Sequence, residues 1–333
     1  MTFYALSCYP FKKKFLQKGD KIKMVERKHI PVMLNEVIES LDIHQGGTYI
    51  DGTFGAGGYS EAILNAAPDT RGLAIDQDPN AIRDGQALVK KYAPRLQLYQ
   101  KRFSQMAEIA TEPVDGVVLD IGVSSMQIDQ PERGFSFQKS GPLDMRMSQQ
   151  GLCAADIVNT FKEDEIADIL FHYGEERAAR RIAHQIITQR TITPFTDTLQ
   201  LACAIHAVMP HKAGDIDSAT RTFQALRIYV NNELGELEKA LEAAKKILKP
   251  NGVLSVVTFH SLEDRIVKQF FQSETAPNVH VNKYKKDAAL APSPCAFCLK
   301  SKKPLAASEA ETKINPRARS ARLRSAVRLK DEV

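Results

Sequence analysis

The chain of 333 residues contains no run approaching the roughly 18 to 20 uninterrupted apolar residues that a membrane-spanning helix needs. No membrane partner is therefore expected. Near its start, Phe11-Lys12-Lys13-Lys14-Phe15 is basic, but neither a long apolar stretch nor a small-residue cleavage site follows, so a secretory signal is not expected either. Cysteine is scarce. Five residues, an odd number without framework spacing, argue against a disulfide scaffold and suit a reducing cytoplasm. A composition of 43% hydrophobic and 26% charged residues excludes a collagenous or mainly disordered chain. The length suits about two domains of roughly 150 residues.

Charge is unevenly spread. The net value is +5, yet residues 1–28 carry eight Lys/Arg against two acids, and residues 281–330 carry thirteen against three. The stretch 29–280 is acidic, with 24 positive and 33 negative residues. A basic C-terminal strip on an acidic body is a local footprint for a polyanion. Residues 1–27 read as a basic extension, expected to be disordered.

Short apolar, β-branched runs alternate with helical patterns, as in βαβ units with a parallel sheet. Strands are expected at Thr48–Asp51, Gly72–Asp76, Leu96–Gln100, Val114–Gly122 and Gly252–His260, with helices at Ser60–Ala66 and Asn80–Tyr92. Ala219–Leu248 reads as one long amphipathic helix closed by Lys249-Pro250-Asn251-Gly252. About 130 residues separate the fourth and fifth strands, where a crossover unit needs only about 30. The expected filling is an inserted helical domain at 129–217, with helices at Ala154–Thr160, Glu163–His172, Glu175–Gln189 and Thr198–Ala207. Residues 28–128 and 218–330 then form the sheet domain. After a helix at Ser261–Phe271, strands at Val279–Lys285 and Ala321–Leu329 are expected to pair.

The strongest chemical signal is Tyr49-Ile50-Asp51-Gly52-Thr53-Phe54-Gly55-Ala56-Gly57-Gly58, a strand running into glycines before a helix. Glycine permits close backbone approach, and free N–H groups at a helix start bind anionic or polar groups. Asp76 ends the second strand, where a carboxylate can accept both hydroxyls of a ribose. A nicotinamide site wants G-x-G-x-x-G, but Ser60 stands at the third glycine. S-adenosylmethionine, a nicotinamide or flavin, and a structural turn all remain readings of this segment alone.

Further strings occur in order: Ile75-Asp76-Gln77-Asp78-Pro79, Leu119-Asp120-Ile121-Gly122-Val123-Ser124-Ser125, Arg133-Gly134-Phe135-Ser136-Phe137 and Pro142-Leu143-Asp144-Met145-Arg146-Met147. Tyr173-Gly174-Glu175-Glu176-Arg177, Thr220-Arg221-Thr222-Phe223-Gln224-Ala225-Leu226-Arg227, Phe259-His260-Ser261-Leu262-Glu263-Asp264-Arg265 and Asn315-Pro316-Arg317-Ala318-Arg319-Ser320 follow. Together, over roughly residues 28–330, they resemble the bacterial ribosomal small-subunit RNA methyltransferase H family, the MraW family. The resemblance implies an α/β fold, that of class I S-adenosylmethionine-dependent methyltransferases, a Rossmann-like doubly wound sheet carrying an inserted helical domain for RNA recognition. It also implies cytoplasmic N4-methylation of a decoding-centre cytosine in 16S rRNA, with S-adenosylmethionine as co-substrate and no metal. The partner is 16S rRNA of the small ribosomal subunit; homodimerisation is left open. By motif match, Gly57, Gly58 and Tyr59 would touch the methionine end of the cofactor, Asp76 the ribose and Phe103 the adenine. Asp120 and Gln127 would sit by the cofactor at the end of the fourth strand. Tyr59 stands where the family usually has His, and Met126 where it usually has Pro; Tyr59 is expected to keep a hydrogen bond to the cofactor.

Asp120 is the candidate catalytic residue. The N4 lone pair of cytosine is delocalised into its ring, and a carboxylate accepting its N–H would orient the amine and stabilise positive charge developing on nitrogen. Carbon-5 methylation needs a cysteine near this strand, whereas Cys153 and Cys203 lie in the insertion. The strand-end motif does not itself identify the amine, so the choice of base rests on resemblance. A nicotinamide oxidoreductase and a non-catalytic RNA-binding assembly factor are the rival functions.

Other polar residues have plainer readings. His260 reads as a packed, hydrogen-bonded side chain, and Glu263-Asp264-Arg265 as a helix-start charge cluster. Glu175-Glu176-Arg177, Arg180 and Arg181 suit either a solvated face or RNA contact. Cys295-Ala296-Phe297-Cys298 is only half a zinc site. Arg317, Arg319, Arg322, Arg324 and Arg328 are dense enough to expect contact with RNA phosphates.

Overall fold

The computed structural model describes residues 31–210, 214, 216–275 and 295–330. The expected N-terminal extension and the expected strand at Val279–Lys285 lie outside them. A short helix α1 (Leu34–Ser40) leads into β1 (Thr48–Asp51), α2 (Gly58–Ala66), β2 (Arg71–Asp76), α3 (Pro79–Lys91), β3 (Leu96–Gln100), β4 (Val114–Asp120) and α4 (Ser125–Asp129). Four helices follow: α5 (Ala154–Thr160), α6 (Glu163–Gly174), α7 (Ala179–Ile192) and α8 (Thr198–Val208). The chain then returns through α9 (Thr220–Asn231), α10 (Glu233–Ile247), β5 (Leu248–Thr258) and α11 (Ser261–Thr275). It closes with β6 (Phe297–Leu299), β7 (Leu305–Ala306), α12 (Glu309–Ile314) and β8 (Arg322–Arg328).

The sheet order is β3-β2-β1-β4-β5-β8-β6, with β7 also on β8. The first five strands run parallel. Strand β8 is antiparallel to β5, β6 and β7. Within the described residues, the C-terminal strand therefore completes the main sheet against β5 instead of forming a separate tail hairpin. Its alternation explains this: Leu323 and Ala326 are buried, and only a sheet with both faces covered can bury them.

Strand periodicity splits the core. In β4, Val117 and Leu119 join Ile50, Ile75, Leu254 and Val256 under Leu237, Leu241 and Phe271. Val118 points the other way, into the cluster of Val37, Leu41, Tyr49, Ile63 and Val257. A separate helical core unites Ile157, Ile166, Leu170, Ile182, Ile186, Leu201 and Ile205 with Phe223 and Leu226 of α9.

The expected single helix at Ala219–Leu248 is two helices. Asn232 has φ 51° and separates α9 from α10. The apolar side chains of α9 enter the helical core while those of α10 enter the sheet core, so one straight rod could not serve both. Between α6 and α7, Glu175 likewise adopts φ 48°, and α7 begins at Ala179 and not at Glu175.

Candidate active site

Doubly wound sheets bind ligands beyond the carboxyl ends of their strands, where the topology switches. Here a cleft opens at that edge. Thr53, Gly55 and Gly58 enter from the loop after β1, Asp76 and Gln77 from the end of β2, and Phe103 from the turn after β3. Asp120 and Gly122 come from β4 and Phe259 from β5, while Met147, Asn231, Asn315 and Arg317 close the rim.

The glycine loop is built for this edge. Gly55 has φ +53°, and a Cβ there would approach only Thr53 O at 3.9 Å and Ser124 Cβ at 4.0 Å. The Gly55 N–H donates to Asp76 Oδ2 at 2.8 Å, and the Asp78 N–H donates to Asp76 Oδ1 at 2.8 Å. Each carboxylate oxygen thus keeps acceptor capacity for a further donor. Burial pushes the Asp76 carboxyl up to about 6 against these two bonds. Asp51 is buried behind the loop, accepting from the Ser60 hydroxyl at 2.7 Å and its N–H at 3.1 Å. It too is raised by burial to about 6.

Two expected contacts sit differently. Gly57 is absent from the cleft lining. It starts α2 with φ +80°, and a Cβ on it would meet Leu88 Cδ2 and Phe54 Cζ at 2.7 Å. Tyr59 lines the cleft but is buried, and its hydroxyl donates to the Val32 carbonyl oxygen. That proton is already engaged within the protein, so in this arrangement the Tyr59 hydroxyl could meet a ligand only as an acceptor.

Gln127 is buried in a capping box. Its Oε1 accepts from the Ser124 N–H at 3.0 Å, and its Nε2 donates to Asp78 Oδ2 at 2.9 Å. Asp78 is the residue that sequence reasoning passed over. It caps α3 by accepting from the Asn80 N–H at 3.0 Å, and it accepts from Arg133 Nη1 at 2.7 Å. Arg133 also donates through Nη2 to the carbonyl oxygens of Arg146 at 3.0 Å and Met147 at 3.1 Å. Across the cleft, Asn231 accepts from the Met147 N–H at 2.8 Å. Asp78 and Arg133 both fall within the quoted strings, and Asp-Pro before a helix signals a cap. Their pairing over 55 residues left no local trace.

Asp120 stands apart. Its backbone N–H donates to Thr53 Oγ1 at 2.7 Å, but its side-chain Oδ1 is buried with no hydrogen-bond partner among the described residues. Burial, then the neighbouring charges of Asp51 and Glu263, hold its carboxyl well above the ordinary range. Behind it lies a buried ionic cluster. His260 Nε2 is 2.9 Å from Glu263 Oε1, and Glu263 Oε2 accepts from the Phe259 N–H at 2.7 Å. Arg227 donates to both oxygens of Glu233 at 2.8 and 2.9 Å. His260 is thus packed, as expected, with Nδ1 accepting from the Glu263 N–H at 3.4 Å, while its Nε2 lies within ion-pair distance of Glu263 Oε1 without a hydrogen-bond partner among the described residues.

The tail arginines divide. Arg324 donates to both oxygens of Asp264 at 2.8 and 3.0 Å, and Arg328 donates to the carbonyl oxygens of Ala296 and Leu329. These two hold the fold together. Arg317 lines the cleft and meets Asp129 at 3.1 Å, and Arg319 is exposed. Cys295 Sγ lies 3.4 Å from the Thr275 carbonyl oxygen and Cys298 is exposed. Among the described residues, no group of three or more His, Cys, Asp or Glu could hold a metal ion, and no helix is long and apolar enough to cross a membrane.

Comparison with known proteins follows the same lines. A protein of Chelativorans sp. is 53% identical over 305 residues, covering 91% of this chain and 88% of its own length. One of Beijerinckia indica is 55% identical, covering 90% and 85%, and one of Gluconobacter oxydans is 52% identical, covering 92% and 95%. Each of the three is named ribosomal RNA small subunit methyltransferase H. The MraW methylase family matches residues 26–329, and the chain belongs to that family.

Proposed function

We propose that this protein methylates N4 of a cytosine in 16S rRNA of the small ribosomal subunit, in the cytoplasm, with S-adenosylmethionine as methyl donor. The observation that carries the reading is Asp120 Oδ1, buried at the cleft with no hydrogen-bond partner among the described residues, since a polar atom left orphaned at a ligand cleft points to an unfilled role. The names of the relatives and the motif resemblance supply the RNA and the base.

The cleft fits the donor. Asp76, held by two backbone N–H groups, would accept the ribose hydroxyls. Gly55 leaves room for the backbone to approach the ligand, Phe103 would pack on the adenine, and Gln127 would brace the wall below it through Asp78. Bound there, S-adenosylmethionine supplies a methyl group on a positively charged sulfur. Once ionised, with the cationic sulfur beside it to offset its high proton affinity, the Asp120 carboxyl would accept an N–H of the cytosine amine, turn its lone pair towards that methyl group and counter the charge building on nitrogen. Its raised proton affinity suits it to hold the amine proton. The helical body between β4 and β5, whose loop delivers Met147 to the cleft, is the proposed RNA-recognition unit.

The test is transfer of a tritiated methyl group to small-subunit RNA, followed by mass spectrometry of the nucleosides. N4-methylcytidine is expected; no transfer, or methylation at another atom, refutes the reading. Asp120→Asn should lower single-turnover transfer by about 100-fold or more while leaving S-adenosylhomocysteine affinity nearly unchanged. Near-normal transfer in that variant would remove Asp120 from the chemistry.

A further inference from the structure

Away from the cleft, the helical body carries an aromatic ring that burial does not explain. Phe171, near the end of α6, is 57% exposed. Its ring meets that of His172 edge-on, with centroids 5.2 Å apart, and both residues are exposed. The same groove between α6 and α7 is lined by Arg177, Arg180, Arg181 and Met209. Arg177 and Arg180 are exposed and form no ion pair among the described residues. Arg181 leans on the sulfur of Met209.

The groove is placed at the active edge. Glu175 lies between Phe171 and Arg177, and its carboxylate accepts from the Ser261 hydroxyl and from Arg265 Nη2, the latter at 2.9 Å. Its carbonyl oxygen accepts from Arg221 Nη1 at 3.3 Å. Ser261 and Arg265 open α11 immediately after β5, whose next residue, Phe259, lines the cleft. Arg221, whose bond is to a neutral carbonyl, thus adds positive charge between the groove and the sheet edge, while the Arg265 charge is matched by Glu175. Two acids line the groove as well: Asp168 is exposed, while Glu176 is buried with its carboxylate accepting from the Ala178 N–H at 2.8 Å, so three arginines face one solvent-exposed acid. On a body with 24 positive and 33 negative residues over 29–280, this is a local reversal of sign.

We propose that this face, centred on Phe171, Arg177 and Arg180, docks an unpaired segment of the RNA substrate next to the nucleotide that enters the cleft. Exposed aromatic rings stack on splayed bases, and arginines beside them bind the flanking phosphates. The charge selects a polyanion, and the ring selects one with open bases over a paired duplex. The inference rests on the RNA methyltransferase reading and deepens it.

The test uses the full chain with small-subunit RNA, measuring affinity by filter binding at several salt concentrations. Phe171→Ala should weaken binding roughly 5- to 150-fold, the range for losing one base–aromatic stack, and Phe171→Tyr should restore it. Arg177→Glu/Arg180→Glu, with Arg177→Gln/Arg180→Gln as the milder pair, should weaken binding and lower the slope of log affinity on log salt by about 0.7 per lost phosphate contact. S-adenosylhomocysteine affinity should be unchanged in all of them, reporting an intact fold. Unchanged RNA affinity and slope in every variant would overturn the proposal. So would variants that keep RNA affinity but lose self-association in sedimentation, since the face would then belong to a second copy of the chain. A wild-type protein that binds small-subunit RNA without methylating it would instead defeat the proposed function and leave the docking surface standing.

Discussion

Replacing Arg133 by methionine removes the cation that ties the segment after β4 to the start of α3. Its guanidinium lies 2.7 Å from Asp78 Oδ2, and the two side chains are only 9% and 5% exposed. Removing one member of a buried ion pair costs about 3–5 kcal/mol, because the other charge stays desolvated. Asp78 would keep donors from Gln127 and from the Asn80 N–H, which places the expected loss near the lower end, about 3 kcal/mol. Asp78→Asn should cost a similar amount by stranding Arg133. In the double variant no buried charge is left unpaired, so its cost should fall short of the summed single costs by about 2 kcal/mol. Urea unfolding followed by circular dichroism measures all three. Because Met147 and Gln127 both depend on this pair and both line the cleft, Arg133→Met should also weaken S-adenosylhomocysteine binding. A loss below about 1 kcal/mol, or single costs that simply add, would refute the reasoning.

Asp76 must be ionised to accept ribose hydroxyls and is held at about 6, so S-adenosylhomocysteine affinity should rise as pH goes up through 6 and then level off. Asp76→Asn should bind more weakly with a flatter profile; calorimetry showing matching profiles would count against the assignment. Tyr59→Phe leaves the Val32 carbonyl oxygen without its donor and should cost about 1–3 kcal/mol of stability while sparing ligand affinity. A selective loss of affinity would show that the hydroxyl serves the ligand after all. Gly58→Ala drives a Cβ into the Pro31 ring and should cost about 1–3 kcal/mol, read as a lowered melting temperature; an unshifted melt would contradict the packing at this turn.

Much of the site was legible before any coordinates. Asp76 and Asp120 were readable because each ends an apolar strand, and strand ends in such sheets border the crevice. Gly55 was readable because a strand-to-helix turn needs a residue that adopts positive φ, here +53°. Two expected ligand contacts have surroundings that the sequence did not reveal. Gly57 and Tyr59 sit at the start of α2, but how such a residue meets a ligand depends on what packs behind it, here Phe54 and Leu88 for Gly57 and Val32 for Tyr59. The tail arginines show the same: Arg324 and Arg328 look alike in sequence to Arg319, but acceptors from distant segments engage them.

The amino-acid order alone determined the periodic elements: alternating apolar strands, helical stripes, the glycine turn and the long interruption between the fourth and fifth strands. These follow from local sterics and from burying one face of each element, which a string of residues records directly. Tertiary structure alone decided the break at Asn232 that sends α9 and α10 to different cores, the partnering of β8 with β5, the Asp78–Arg133 pair and the isolation of the Asp120 carboxyl. Each depends on which segments, distant along the chain, come within hydrogen-bonding or van der Waals reach, and such proximity exists only once the chain has folded.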